Sequence, residues 1–449
     1  MPTKPNTKLN MTGPGGQLYA EQKVTPDENA FQRNNTSAAY YNSPYYAAHK
    51  NQVQPIPQPR QNASPNIVLT DFVAKEIITA INAANKITFH ATGDTGAAKV
   101  NARQGATIAL GHQAAVADAM ATEVQHGGPG GPAFFFHLGD VIYNFGEGQY
   151  YYDQFYEPYR DYDRPIFAIP GNHDGMVFGQ GSTAPQIPTL DAFLTNFCAA
   201  SPGPSPDGGG LIRSVMTQPG VYFTLDAPFV SIVGIYSNVL DGPGVISSQS
   251  GKLPLVNDQL DFLASEFTRL KPLRQAGERA VLLAVHHPPL SADAKHGGST
   301  GELIDIDAVC NKVQFWPDAV LSGHAHLYQR FTRLYANGKQ APYVVCGAGG
   351  FAVTAPMGKL PPAPFTSGDY TLEIDPLIEF GYLTVTTDAK TLTITFKTST
   401  SSTTPPVEKD SVTVDLQKGV VLAAGHGAVK PHGGAGKHPG YKPKKKGKG

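Results

Sequence analysis

Short apolar runs that stop abruptly in glycine or proline beside ionisable residues recur between about positions 86 and 330. Lys86-Ile87-Thr88-Phe89-His90-Ala91 leads to Gly93-Asp94-Thr95-Gly96, and Phe134-Phe135-Phe136-His137-Leu138 leads to Gly139-Asp140-Val141-Ile142-Tyr143. Pro165-Ile166-Phe167-Ala168-Ile169 runs into Pro170-Gly171-Asn172-His173-Asp174, Ala280 to Val285 into His286-His287-Pro288-Pro289, and Asp318 to Leu321 into Ser322-Gly323-His324-Ala325-His326. Each run predicts a buried strand ending in a tight turn. Between them, Ala-rich residues 103–125, aromatic residues 149–160 and residues 257–270 predict helices; in the last, Leu260, Leu263, Phe267 and Leu270 share one face. Val68, Phe72, Val73, Ile77, Ile78 and Ile81 also recur at helical spacing, a short helix is expected from Leu190 to Phe197, and residues 221–238 alternate as paired strands do. From Tyr343 the pattern becomes β-rich, with apolar runs at 343–345, 382–385, 392–396 and 412–416. Strands alternating with helices predict an α/β fold, whose sites form at the carboxyl ends of the strands.

The apolar fraction of 41% over 449 residues is enough to bury a sizeable core, while 48 Gly and 38 Pro indicate many loops. Residues 1–65, rich in Asn, Gln, Pro, Tyr and Ala, have no apolar period and are expected to form a mostly disordered N-terminal arm. One main domain is expected over 66–417, and 418–449 reads as a flexible basic Gly/His/Lys tail. That tail holds eight Lys and no acid, so the rest of the chain carries −9 where the whole carries −1. The tail is expected to solubilise; nucleic acid or an anionic membrane surface is a partner only through its charge.

Cys198, Cys310 and Cys346 are far apart and odd in number, which argues against a disulfide framework. The polar start, Met1-Pro2-Thr3-Lys4-Pro5, shows no signal peptide, and no stretch approaches 18 consecutive apolar residues. A soluble protein without a membrane span is expected, cytoplasmic, or secreted after removal of a leader.

The five strand ends present Asp94, Asp140 with Tyr143, Asn172 with His173, His286 with His287, and His324 with His326. These are oxygen and imidazole donors without thiolate, a set suited to two divalent or trivalent ions such as iron, manganese or zinc. Two nearby cations need a shared anionic ligand, and an Asp at the centre of the set supplies one. Singly, a strand-end Asp is more often a helix cap and a lone His more often a hydrogen-bonded structural residue; five such ends in succession favour a metal site. Asn144 and Arg330 are assigned structural roles. Gly347-Ala348-Gly349-Gly350 lacks the following helix and downstream acid of a dinucleotide loop, and is expected to allow close backbone approach instead.

GDTG (93–96), GDVIY (139–143), GNHD (171–174), HHP (286–288) and GHAHLYQR (323–330) resemble the five motifs of the calcineurin-like metallophosphoesterases. The likeness is strongest to the purple acid phosphatase branch. No His stands two positions after Asp94, and Tyr143, three positions after Asp140, takes the place that a tyrosinate holds in that branch. The resemblance implies a four-layer α-β-β-α sandwich with its metals at the strand carboxyl ends, and makes 66–417 the metallophosphoesterase catalytic domain.

It implies one ion held by Asp94, Asp140, Tyr143 and His326, and a second held by Asp140, Asn172, His286 and His324, with Asp140 bridging. Iron is expected at one position and iron, zinc or manganese at the other. His173 would face the substrate, stabilising phosphoryl oxygens or protonating the leaving group, and His296 matches the place of a substrate histidine. His286 and His287 both fit the fourth motif; His-x-Pro favours His286, with His287 behind it. The expected activity is hydrolysis of small-molecule phosphomonoesters by a metal-bound hydroxide. The alternatives are a phosphodiesterase of cyclic nucleotides or nucleic acid, and a non-catalytic binding protein that kept the fold. Specificity is expected in loops 175–190, 200–220 and 291–302. Oligomeric state stays open.

Overall fold

Strand β9 (Ala280–Val285) is apolar and buried at every position because both of its faces are covered. Ala280, Leu282 and Ala284 join one cluster of buried side chains, and Val281, Leu283 and Val285 another. Strand β5 (Phe135–His137) divides in the same way, with Phe136 on the inner side and Phe135 on the outer. Two-sided burial is the mark of a sheet packed between layers.

In the computed structural model the described residues are 10–11, 18–19, 56–96, 106–143, 146, 148–175, 190–211, 213–237, 244–248, 256–401 and 404–422. Two-residue strands β1 (Asn10–Met11) and β2 (Leu18–Tyr19) pair antiparallel with each other. A seven-stranded sheet runs β18 (Val420–Val421), β17 (Val407–Asp415), β16 (Thr391–Thr398), β15 (Gly381–Thr387), β4 (Ile87–Thr92), β5, β6 (Ile166–Ala168). A nine-stranded sheet runs β13 (Phe365–Ser367), β14 (Tyr370–Leu372), β11 (Tyr328–Leu334), β12 (Gln340–Cys346), β10 (Ala319–Ser322), β9, β8 (Val230–Ile235), β7 (Phe223–Ala227), β3 (Asn66–Val68).

The inner cluster joins the sheets. Phe89, Phe134, Phe136, Leu383, Ile394 and Phe396 from one meet Phe223, Ile232, Leu282, Leu321 and Val344 from the other. Helix α1 is Lys75–Ala84. Outside, Met120 and Val124 of α2 (Ala106–Gly127) and Leu263, Phe267 and Leu270 of α5 (Asp258–Gln275) cover the outer faces. Between these lie the short α3 (Asn172–Gly175) and α4 (Asp191–Phe197). The result is the expected four-layer sandwich.

Three departures from the sequence reading have identifiable causes. The helical spacing around Val68 belongs partly to β3, which gains a parallel partner in β7 (Ile67 opposite Leu225), so α1 starts only at Lys75. Order is found ahead of residue 66: Ile56 is buried, and Arg60 donates from its backbone to Pro219 O at 2.8 Å and from its side chain to Thr217 O at 2.8 Å. Helix α6 (Thr300–Val313), capped by the Ser299 hydroxyl accepting from Glu302 N–H, takes up the end of the expected 291–302 loop. Residues 176–189, 423–449 and most of 1–55 lie outside the described residues, and with them most of the N-terminal arm, most of the 175–190 loop and the 418–449 tail beyond Leu422; Asn144 is also outside them. The start of the expected tail is ordered: Val420 and Val421 form β18, which pairs antiparallel with Val414 and Asp415 of β17.

Arg330 is structural. From β11 it pairs with Asp410 of β17 at 2.6 Å and ties the two sheets together. Among the described residues no helix is long and apolar enough to cross a membrane.

Candidate metal centre

Strands β4, β5 and β6 are mutually parallel, as are β8, β9, β10 and β12, so the carboxyl ends of the central strands in both sheets bring their loops together. Thr92, His137 and Ala168 are in register across β4, β5 and β6. Asp94, Asp140 and Asn172 follow within four residues of them, and His286 and His324 follow β9 and β10 in the same manner.

The loops are sharp. Asp94, Asp140 and His324 have φ of 58°, 54° and 66°, in the left-handed region that residues with a Cβ enter reluctantly. Strain of this kind concentrates at functional sites. Two glycines leave no room for a side chain: at Gly139 (φ 95°) a Cβ would lie 2.6 Å from His286 Nδ1, and at Gly171 2.2 Å from Asp140 Oδ1. Gly347 and Gly349 likewise let backbone approach Asp94 and Gly93, as expected of the 347–350 run.

Two groups of donors result. In the first, the Tyr143 hydroxyl stands 2.8 Å from Asp94 Oδ1, 2.7 Å from Asp140 Oδ2 and 3.3 Å from His326 Nε2, and His326 Nε2 lies 3.3 Å from Asp94 Oδ1. In the second, Asn172 Oδ1 is 3.2 Å from His286 Nε2 and 3.1 Å from His324 Nδ1, and His286 Nε2 is 3.4 Å from Asp140 Oδ2. Asp140 Oδ2 belongs to both. One ligand atom each from Asp140, His286 and His324 lies within 4.8 Å of the others.

The remaining atoms of these side chains are fixed by the chain itself. Asp94 Oδ2 accepts from His324 N–H at 2.7 Å, and Asp140 Oδ1 from His173 N–H at 2.9 Å. Each Asp therefore keeps one oxygen for the cluster and spends the other on a neighbouring loop. His286 Nδ1 donates to Leu138 C=O at 2.8 Å, which turns Nε2 toward the donors. Asp174 accepts from the N–H groups of Val141, Ile142 and Gly171 and so binds the third motif to the second. Burial, then the charge of Asp140, pushes the Asp174 carboxyl up to about 7.

Asp94 and Asp140 are buried, and among the described residues no Lys or Arg pairs with either. A buried carboxylate pair without such a partner calls for a cation. Burial works against ionisation of Asp140, yet His286 and His173 hold it well below the usual carboxylate range. Burial pushes His286 down, but Asp140 and Asp94 lift it to about 9. Burial and the surrounding imidazoles hold His324 low, hence neutral and ready to ligate. Burial and both carboxylates keep the Tyr143 proton in place, so ionising this phenol requires positive charge beside it. Donor separations of 2.7–3.4 Å suit atoms that share an ion at about 2.1 Å each. The residues fit two metal ions.

His173 is half-buried and packs its ring 4.3 Å from that of Tyr143. His296 stacks beside the cluster, 4.4 Å from the His324 ring and 5.4 Å from that of His326, with Nδ1 3.1 Å from Asp293 Oδ2. His287 is buried behind His324 (rings 4.1 Å apart), its Nδ1 held by the Ser237 hydroxyl at 2.8 Å. It is His286 that enters the donor group.

Sequence reading missed three contributors. Phe351 stacks on Tyr143 with ring centroids 3.5 Å apart and 3° between planes. His137 accepts from Gly139 N–H at Nδ1, so its Nε2 carries the proton and donates to Thr95 Oγ1 at 2.8 Å; burial pushes its pKa down to about 3. Gln154 holds the backbone of Tyr143. His137 lies inside an apolar strand and the other two far along the chain, so no local pattern marks them.

A sequence model of the calcineurin-like phosphoesterases matches residues 87–328. Among solved structures the chain is similar to a purple acid phosphatase from yellow lupin (Lupinus luteus) seeds, at 17% identity and TM-score 0.50, over 74% of this chain and 54% of that one. It thus spans about half the length of the lupin protein. It is also similar to GAP50, the anchor in the inner membrane complex of Plasmodium (13% identity, TM-score 0.47, 75% of this chain and 91% of that one). A dimetal phosphatase from Danio rerio matches at 12% identity and TM-score 0.42, over 74% of this chain and 99% of that one. No curated protein matches the sequence. At these identities the lupin likeness is one of fold.

Proposed function

The chain belongs to the calcineurin-like phosphoesterase family, and from that premise we propose that it is a dinuclear-metal hydrolase of phosphomonoesters, similar in kind to the purple acid phosphatases. The observation that carries this reading is the position of Asp140 Oδ2, 2.7 Å from the Tyr143 hydroxyl and 3.4 Å from His286 Nε2, where one oxygen serves both donor groups. Asp94, Asp140, Tyr143 and His326 would hold one ion and Asp140, Asn172, His286 and His324 the other, with iron at the tyrosine-bearing position. Bound there, the ions supply an activated water and a positive clamp on the phosphoryl oxygens.

The chain's own residues do the rest. The His324 and His173 amides fix the two aspartates, and Leu138 C=O aims His286. The His173 ring, half-buried beside Tyr143, is the group that gives a proton to the leaving oxygen. His296, held through Asp293 beside His324 and His326, orients the phosphoryl group, and His287 steadies His324 from behind.

The test combines metal content, the visible spectrum and relative rates on p-nitrophenyl phosphate and its bis-ester. About two metals per chain, a tyrosinate charge-transfer band and faster monoester cleavage are expected. Faster diester cleavage would make the protein a phosphodiesterase. Two metals without colour would move it to a manganese or zinc enzyme, and no metal with no turnover would leave a binding protein on this fold.

A further inference from the structure

Three glutamines each close a two-bond ring on the backbone of one other residue. Gln218 accepts from Ala168 N–H and donates to Ala168 C=O, both at 2.8 Å. Gln259 does the same on Tyr236 at 2.8 and 2.7 Å. Gln154 does it on Tyr143, accepting from N–H at 2.6 Å and donating to C=O at 2.5 Å. The first two belong to strands: β6 is an edge of its sheet and Tyr236 directly follows β8. In both, the amide supplies bonds that a neighbouring strand would otherwise give.

Tyr143 is in no strand. Its backbone is buried, and the Gln154 amide takes the part of a strand that is not there. Gln154 is itself buried (1% exposed), and its backbone C=O accepts from Gln113 Nε2 at 2.5 Å. A Cβ on Gly350 would meet the Gln113 backbone at 2.5 Å, so the same residue braces the turn that delivers Phe351 onto the Tyr143 ring. A Cβ on Gly96, in the loop after Asp94, would lie 2.6 Å from Gln154 Oε1 and 2.8 Å from Tyr143 Cδ2. The first and second motifs thus close on this amide pair with no space to spare.

We propose that Gln154 is the positioning residue of the tyrosine-bearing metal group: it fixes the Tyr143 backbone so that the phenol points between Asp94 and Asp140 before any cation arrives. The inference rests on the ligand reading above. Without the amide, the N–H and C=O of Tyr143 would be buried and unpaired, a state that folded chains avoid by moving the segment. The phenol would move with it, whereas Asn172, His286 and His324 are held by other contacts. Gln154 therefore governs one ion and not the other.

The experiment titrates the metal-free full-length protein with zinc(II) by calorimetry, and records the visible band after iron loading. Gln154→Met, which keeps the volume and removes both bonds, is compared with Gln154→Glu, which keeps the acceptor and loses the donor. Gln218→Met serves as the structural reference and Tyr143→Phe as the ligand reference. Expected for both Gln154 variants is an affinity loss of about 10- to 100-fold at one of two ions, the usual effect of removing a group that orients a ligand. A shifted or lost tyrosinate band should accompany it. Gln218→Met should lower the unfolding midpoint and leave both affinities unchanged. Wild-type affinity at both ions in the Gln154 variants, or equal weakening of both, overturns the proposal if Tyr143→Phe loses one ion. If Tyr143→Phe keeps both ions at wild-type affinity, the ligand reading fails and this inference with it. Should Gln154→Met not fold, Gln154→Glu carries the comparison.

Discussion

The Tyr143 hydroxyl lies 2.7 Å from Asp140 Oδ2, the same oxygen that His286 Nε2 approaches at 3.4 Å. One carboxylate atom is thus reached from the loops of both sheets, so loss of the phenol should strip one ion and spare the other. Tyr143→Phe keeps the ring that stacks on Phe351 at 3.5 Å and should therefore fold normally. We predict about one metal per chain after dialysis instead of two, no visible band, and a native far-UV circular dichroism spectrum with an unfolding midpoint lowered by the loss of the ion. Retention of two ions would remove Tyr143 from the ligand set.

The Arg330–Asp410 pair joins β11 of the nine-stranded sheet to β17 of the seven-stranded one, with bonds of 2.6 and 3.0 Å and a third to Asp410 from Tyr328 at 2.7 Å. Both side chains are less than a tenth exposed. Asp410→Ala leaves a buried guanidinium unpaired and should cost about 3–5 kcal/mol. Arg330→Met with Asp410→Leu removes both charges and should recover most of that loss. Urea unfolding of the three proteins checks this. A single-variant loss below about 1 kcal/mol, the size typical of an exposed pair, would mean the pair is not holding the sheets.

Glu123 on α2 accepts from Lys397 Nζ at 2.8 Å and from the Tyr382 hydroxyl at 2.7 Å, and lies 3.1 Å from His90 Nε2. Burial pushes the carboxyl up, but its bonds to His90, Lys397 and Tyr382 and the neighbouring charges outweigh this and hold it at about 2, against an ordinary 4.5. A carboxyl depressed on folding adds stability that is present above its unfolded pKa and is lost as the pH falls through the folded one. Burial also lowers His90 below 6.5, so acid favours the unfolded chain there too. Stability should fall from about pH 6.5 toward pH 2, and Glu123→Gln should flatten the lower part of that limb. Parallel curves for the two proteins, from unfolding free energy against pH, would sink the idea.

The residues of the candidate donor cluster were legible in sequence because their grammar is local: each stands within a few residues of the end of an apolar run. The sheets were legible for the same reason wherever burial is two-sided, as in β9. What escaped notice depends on partners distant in the chain. Gln154 is 11 residues from Tyr143 and carries no signature of its bond. Strand β11 contains Arg330 and Arg333, whose charges hide its burial until Asp410, Asp307 and Asp369 neutralise them. Helix α6 buries Glu302 and Asp305 among its apolar positions, which blurs its period. The spacing at Val68 looked helical because β7, the partner that makes β3 a strand, lies more than 150 residues away.

His173 offers the sharpest division between binding and chemistry. Its backbone N–H, which any residue supplies, fixes Asp140 at 2.9 Å, while its half-buried ring leans on Tyr143. His173→Ala should therefore keep two metals and the native fold. If the ring delivers the leaving-group proton, turnover should fall by about 10²–10⁴-fold on an alkyl phosphate, whose alkoxide needs that proton. The fall should be much smaller on p-nitrophenyl phosphate, whose phenolate leaves unaided. Comparing kcat/KM of both substrates in wild type and variant measures this directly. Equal losses on the two would assign the ring to holding the phosphoryl group, and no loss on either would take His173 out of the reaction.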